Sequence, residues 1–159
     1  MREQSFRTKP LFIDGLPFNI EQTARVSYLL GKSYYKDIVK SRLELIEYTI
    51  LSYILSKPEL SKSDLSKLLF KGKAHIGKIL NDMEEKGYIK RVAVSDNNIL
   101  KKITRITAKG KKLYEETHEV FKNLGEKVLE DFSREEIETF HKLLNKYRNK
   151  ILDNFEIEF

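Results

Sequence analysis

The chain contains no cysteine, no tryptophan, three prolines and seven glycines in 159 residues. Without cysteine there are no disulfides, zinc–thiolate sites, iron–sulfur clusters, thiol nucleophiles or cysteine-based redox sensors. A long hydrophobic run is also missing. The most apolar stretch, 45–55, is interrupted by Glu47, whereas a membrane-spanning helix needs about 20 apolar residues. The first ten residues, Met-Arg-Glu-Gln-Ser-Phe-Arg-Thr-Lys-Pro, lack the apolar run of a secretory signal. A cytoplasmic protein with no membrane partner is the expectation. At this length a fold buries roughly 70% of its unfolded surface, so no metal or disulfide staple is required.

What is present in excess is charge, at 34% of residues, with 30 basic and 24 acidic side chains giving a net +6. The total matters less than its distribution. Residues 61–112 hold 14 Lys/Arg against five Asp/Glu, a balance of +9, and the remainder holds 16 against 19, or −3. A basic segment between mildly acidic flanks is the pattern of an anion-binding face, since solubilising charge would be spread evenly.

The flanks have helical periodicity. Leu113, Thr117, Val120, Phe121, Leu124, Val128 and Leu129 recur at steps of three and four, marking one apolar stripe. Ser133-Arg-Glu-Glu136 is a capping box, in which the serine oxygen accepts from an early amide and the glutamate reaches back. It opens a second stripe, Ile137, Phe140, Leu144, Tyr147 and Ile151, spaced for a helix–helix seam. Residues 20–39 and 43–55 also read as helices, the second stopped by Pro58. Residues 1–16 show no clear period, and residues 1–19 are assigned to an N-terminal arm. With no repeat and no low-complexity linker, a single domain over 1–159 is expected.

In the basic segment, Ser61-Lys-Ser-Asp64 signals a helix start, and Leu65, Leu68 and Leu69 give that short helix its apolar face. Phe70-Lys-Gly-Lys73 interrupts it, with Gly72 suited to the left-handed backbone of a tight turn. A second helix follows with Ile76, Ile79, Leu80 and Met83 inward and a stop at Gly87. Lys73, Ala74, His75, Gly77, Lys78 and Asn81 then face out, and no acidic residue precedes Asp82. Small and basic groups on one helix face suit a DNA major groove, where bulk or negative charge would obstruct phosphates and base edges. After Gly87 the period falls to two. Residues 88–94 and 99–106 read as strands joined by Ser95-Asp-Asn-Asn98, with Lys101, Lys102 and Arg105 on the returning strand. Helix, turn, helix and basic hairpin is the order of a winged helix-turn-helix.

The run Leu80-Asn-Asp-Met-Glu-Glu-Lys-Gly-Tyr-Ile-Lys-Arg91, followed by Ile106-Thr-Ala-Lys-Gly110, resembles the MarR family of transcription regulators. The likeness spans roughly residues 20–153. It implies a mostly α, α+β fold: a winged helix-turn-helix (57–107) hung from a helical dimerisation region built by both ends of the chain (20–56 and 108–155). It further implies a homodimer and a palindromic double-stranded DNA site. A small aromatic or anionic effector that releases the DNA is also part of what the resemblance implies. One departure concerns the wing tip, where Asp96-Asn-Asn98 supplies the family's acid and no arginine. Lys101 and Lys102 offer charge without the planar fork that suits a narrow minor groove, so phosphate contact is the reading for this wing.

The candidate DNA-contacting residues are therefore Ser61, Lys62 and Ser63 at a helix start, and Lys73, Ala74, His75, Gly77 and Lys78 on the second helix. Asn97, Asn98, Lys101, Lys102 and Arg105 on the hairpin complete the set. Ser61 and its neighbours have capping as their first role, and an exposed helix N-terminus also suits phosphate. His118 and His141 stand apart from other metal-ligating residues and read as surface or packing histidines. Tyr28, Tyr34, Tyr35, Tyr48 and Tyr53 suit core, dimer interface or effector cleft. No phosphate-cradling glycine loop, catalytic triad context or His-Glu-x-x-His helix is present, so neither an enzyme nor a cofactor is expected. Two other readings compete with a specific repressor: a winged-helix module that binds an acidic protein, and a nonspecific architectural DNA binder.

Overall fold

The computed structural model describes residues 12–38, 43–96 and 99–159, and the chain divides into two compact units, Met1–Leu45 and Ile46–Phe159. In the first, a short 3-10 helix (Phe12–Asp14) leads into helix α1 (Leu16–Ile38). Residues 12–19, which the periodicity assigns to an arm, are thus largely helical. Pro17 sits in the first turn, where the missing N–H has no intrahelical partner to lose. The Asn19 side-chain amide donates to the Gly15 carbonyl at 3.0 Å, and Phe12 meets Phe18 edge to face at 5.8 Å. Val26, Leu29 and Leu30, spaced three and four apart on α1, are all exposed.

The second unit runs α2 (Leu45–Ser56), α3 (Lys62–Leu69), α4 (Lys73–Glu85), β1 (Ile89–Asp96), β2 (Ile99–Ile106), α5 (Ala108–Val128) and α6 (Arg134–Asn154). Its fully buried side chains come from every element but the last: Ile50 and Leu51 on α2, Leu65 on α3, Ile76, Leu80 and Met83 on α4, Ile89 on β1, Ile103 on β2, and Thr117 on α5. The Thr117 hydroxyl is satisfied inside the core by donating to the Leu113 carbonyl at 2.7 Å. In contrast α6 buries nothing, and Phe140 and Leu143 stand exposed on it.

Local chemistry closes α3, α4 and the start of α6. Ser61 caps α3 and Ser133 caps α6, both in complete capping boxes with Asp64 and Glu136. The end of α4 is a Schellman turn: Gly87 N–H donates to Glu84, Tyr88 N–H to Met83, and Gly87 takes φ +74°. At the end of α3 the equivalent pair runs from Phe70 to Lys67 and from Lys71 to Ser66. Here the left-handed residue is Phe70 (φ 51°, ψ 49°), whereas Gly72 has φ −54° and ψ 142° as N-cap of α4. The sequence assigns that conformation to Gly72; the bonding pattern moves it two residues earlier. The buried Ser66 hydroxyl donates to the Lys71 carbonyl at 2.6 Å and holds this turn in place.

Strands β1 and β2 pair antiparallel with Ile89 opposite Ile106 and Asp96 opposite Ile99. A bridge between Ser61 and Ile103, with Thr104 N–H donating to Leu60, ties β2 to the segment entering α3. The hairpin is thereby locked to the helix pair. No helix among the described residues is long and apolar enough to cross a membrane.

Candidate nucleic-acid interface

The interface is built on α4, whose buried positions 76, 80 and 83 anchor one side to the core. Lys73, Ala74, His75, Lys78 and Asn81 are all exposed on the other, as their spacing from the buried set requires. Gly77 lies half-buried between them because the stem of Lys62 crosses it: a β-carbon at 77 would stand 3.5 Å from Lys62 Cδ and 4.0 Å from its Nζ. The first residue of α3 thus lays its ammonium over the middle of α4. Lys62, Gly77 and Lys78 form one basic surface although Lys62 and Gly77 are 15 positions apart in the chain.

The α3 N-terminus is already filled. Ser61 donates its backbone N–H (2.8 Å) and its hydroxyl (2.6 Å) to Asp64 Oδ2, and its Oγ accepts from Asp64 N–H at 3.2 Å. The Ser61 hydroxyl and amide, with Lys101 adding attraction, hold the Asp64 carboxyl below its usual range. Ser61 is therefore a capping residue first, and Ser63, half-buried, sits in the same turn.

On the hairpin, Lys101 approaches Asp64 at 3.5 Å and Arg105 approaches Glu59 at 3.7 Å, with side chains about half exposed in both pairs. Such surface pairs contribute only about 0–1 kcal/mol, so either cation is free to exchange its carboxylate for phosphate. Lys102 is exposed on the opposite side of the strand, where its charge helps to keep Glu84 ionised. Asn97 and Asn98 lie outside the described residues.

One residue that the sequence marks only as the end of the Leu80–Arg91 run organises the site. Arg91, on β1, donates through its backbone N–H to Glu84 Oε1 (2.8 Å), through Nε to Glu84 Oε2 (2.8 Å), and through Nη2 to Asn81 Oδ1 (2.7 Å). The guanidinium carries only donors, so the Asn81 amide must turn its oxygen inward. This fork clamps the hairpin to the last turns of α4, and it pulls the Glu84 carboxyl below its ordinary range. Helical spacing gives no warning of it, because the partners lie on different elements.

Behind the interface, Tyr48 of α2 stacks on Tyr114 (5.1 Å) and Phe121 (4.9 Å) of α5, and shares a 2.9 Å hydrogen bond with His118 Nδ1. Burial, then the neighbouring Tyr114, push the Tyr48 phenol up to about 12, so it remains neutral. His118, read as a surface or packing residue, packs here against Tyr114. One residue away, the buried Glu47 meets Lys86 Nζ at 2.6 Å, joining α2 to the end of α4. The described residues contain no group of three or more His, Asp or Glu side chains placed to hold a metal ion.

No family model matches the chain. Among solved structures, it is similar to the Staphylococcus aureus MepR–DNA complex, at 18% identity and TM-score 0.72 over 86% of this chain and 96% of that one. It is similar to a MarR/EmrR family transcriptional regulator from Acinetobacter sp. ADP1, at 25% identity and TM-score 0.69 over 85% and 97%. A third is the PcaV transcriptional regulator from Streptomyces coelicolor in complex with its natural ligand, at 12% identity and TM-score 0.70 over 89% and 98%.

Proposed function

From a chain that has the fold of the MarR-family transcription regulators, we infer a DNA-binding regulator of transcription, not an enzyme. In its finer form the reading is a cytoplasmic, homodimeric repressor on a palindromic operator. The observation that carries it is the solvent face of α4, where Lys73, Lys78 and the overlying Lys62 surround small residues with no acid before Asp82. Lys101, Lys102 and Arg105 extend the same positive charge along the hairpin. Lys73, Lys78 and Lys62 serve as phosphate anchors, with Ala74, His75 and Gly77 nearest the base edges. Ser61 and Ser63 hold the helix start that positions Lys62.

Dimerisation is supported by apolar faces that the chain itself leaves open, Val26, Leu29 and Leu30 on α1 and Phe140 and Leu143 on α6. The effector reading rests on the aromatic stack of Tyr48, Tyr114 and Phe121, an apolar wall with hydroxyls of the kind that takes small aromatic acids. A ligand acts there only if it binds the DNA-competent and released arrangements with different affinity.

Selection of bound duplexes from a random library tests the reading. A palindrome with half-sites about one helical turn apart is expected, with affinity falling steeply as salt rises. Uniform recovery of all sequences would leave an architectural binder, and no retention of any duplex at low salt would sink the reading. Replacing Lys78 with Ala is expected to weaken all sequences alike if it contacts phosphate and to relax one position if it reads a base.

A further inference from the structure

The five residues that follow α6, Phe155-Glu-Ile-Glu-Phe159, alternate apolar and acidic side chains. They do not trail away from the second unit. The Phe159 ring meets Phe70 edge to face, with centroids 5.8 Å apart and planes at 80°. Its main chain passes the start of α4 so closely that a β-carbon on Gly72 would lie 3.6 Å from both Phe159 C and O.

Two features make this more than a chance contact. Phe70 is a bulky residue in the left-handed region, where glycine or asparagine would sit without strain. That backbone aims an aromatic ring outward from the α3–α4 turn, and the ring it meets is Phe159. Moreover, Gly72 gives α4 no side-chain cap of its own, so the first-turn amides of this helix depend on an acceptor from outside it. That helix end is where a DNA phosphate would settle. In the free chain the ground is covered by a segment with Glu158 adjacent to the contact and Glu156 two residues further back, negative charge of the sign that the helix dipole favours.

We propose that residues 155–159 are an autoinhibitory strap, docked through Phe159 on Phe70 across the N-terminus of α4, which must lift before phosphate reaches that end of the helix. The proposal rests on the reading of α4 as the DNA-contacting helix. An aromatic pair and one main-chain approach make a weak latch, so its closure weakens DNA binding by about two- to tenfold rather than abolishing it.

The chain has no tryptophan, so Phe159→Trp introduces a single reporter. Its emission is expected to be shielded from acrylamide in the free protein. Phe70→Asn should remove that shielding, since asparagine accepts the left-handed backbone and lacks the ring; saturating duplex DNA should remove it too. In parallel, the otherwise unaltered chain lacking residues 155–159, and separately Phe159→Ala, are expected to bind a mixed-sequence duplex two- to tenfold more tightly in anisotropy titrations. A fully quenchable indole in the free protein, or equal affinity with and without the strap, overturns the proposal. If neither the full nor the shortened chain binds any duplex, the DNA reading fails and the strap's role falls with it. The fluorescence of the free protein then still reports whether the contact exists.

Discussion

Of the glycines inside helices, Gly77, Gly110 and Gly125 offer the same substitution with opposite expected outcomes. In a helix interior alanine is favoured over glycine by about 1 kcal/mol, so Gly→Ala should stabilise wherever the new methyl has room. At Gly125 nothing lies within 4 Å of the added carbon, and at Gly77 the nearest atom is the flexible Lys62 Cδ at 3.5 Å. At Gly110, in the first turn of α5, the carbon would fall 2.1 Å from the Tyr88 carbonyl oxygen, 2.9 Å from its carbon and 3.1 Å from Ile106 Cγ1. The helix must retreat by about 1 Å to restore contact distance. That movement stretches the Thr107 N–H bond to the same carbonyl (3.0 Å) and the longer arm of the Thr107 hydroxyl's shared bond (3.1 Å to Tyr88 against 2.7 Å to Gly87). Overpacking costs about 1–3 kcal/mol and each weakened hydrogen bond up to about 1 kcal/mol. After the helix-propensity gain, Gly110→Ala is expected to destabilise by up to about 4 kcal/mol, a fall in Tm of as much as roughly 15 °C for a chain of this size. Gly77→Ala and Gly125→Ala should each raise it by a few degrees. Thermal and urea unfolding followed by circular dichroism, at one protein concentration so that any association is held constant, measures all three. If Gly110→Ala melts at or above the unaltered protein, or if the three shift together, the close-approach argument is wrong.

Three further outcomes follow from the same geometry. Lys86→Met removes the cation 2.6 Å from the buried Glu47, and the half-exposed lysine moderates the loss to about 1–3 kcal/mol; adding Glu47→Gln should recover part of it in urea titrations. Thr107→Ala deletes a cap whose Oγ1 accepts from Gly110 N–H (3.0 Å) and donates to the Gly87 carbonyl (2.7 Å), and is expected to cost about 1–2 kcal/mol, with Thr107→Ser close to neutral. The Glu84 carboxyl is lowered from its ordinary 4.5 by hydrogen bonds from the Arg91 side chain first and its backbone second. A group depressed on folding contributes stability that is fully present above the unfolded value and is lost as pH falls through the folded one. Urea midpoints between pH 6 and 3 should therefore fall less steeply for Glu84→Gln than for the unaltered protein, and parallel profiles would remove this group from the acid response.

Much of the candidate interface is legible in the sequence because its signals are local. A capping box is read from four consecutive residues, and both Ser61 and Ser133 form theirs. Gly87 ends α4 with positive φ because its own i−3 bond to Glu84 and the i−5 bond of Tyr88 to Met83 are set by the helix before it. The outward set on α4 follows from the buried one by helical angle alone. The errors arose where a local rule had two solutions: glycine was available for the left-handed position, but the α3 closing bonds placed Phe70 there. Residues 12–19 lack periodicity because a short 3-10 helix and a largely exposed helix start have no buried face to mark.

Thus the sequence alone determined the order of elements, the caps and stops that bound them, and the concentration of positive charge on a helix, turn, helix and hairpin. Those depend on propensity, periodicity and neighbours a few residues away. Tertiary structure alone decided which distant groups meet: Lys62 across Gly77, Arg91 on Glu84 and Asn81, Tyr48 among the α5 rings, and Phe159 on Phe70. These contacts are set by how whole elements pack, and packing is governed by the summed burial of many side chains rather than by any motif within one of them.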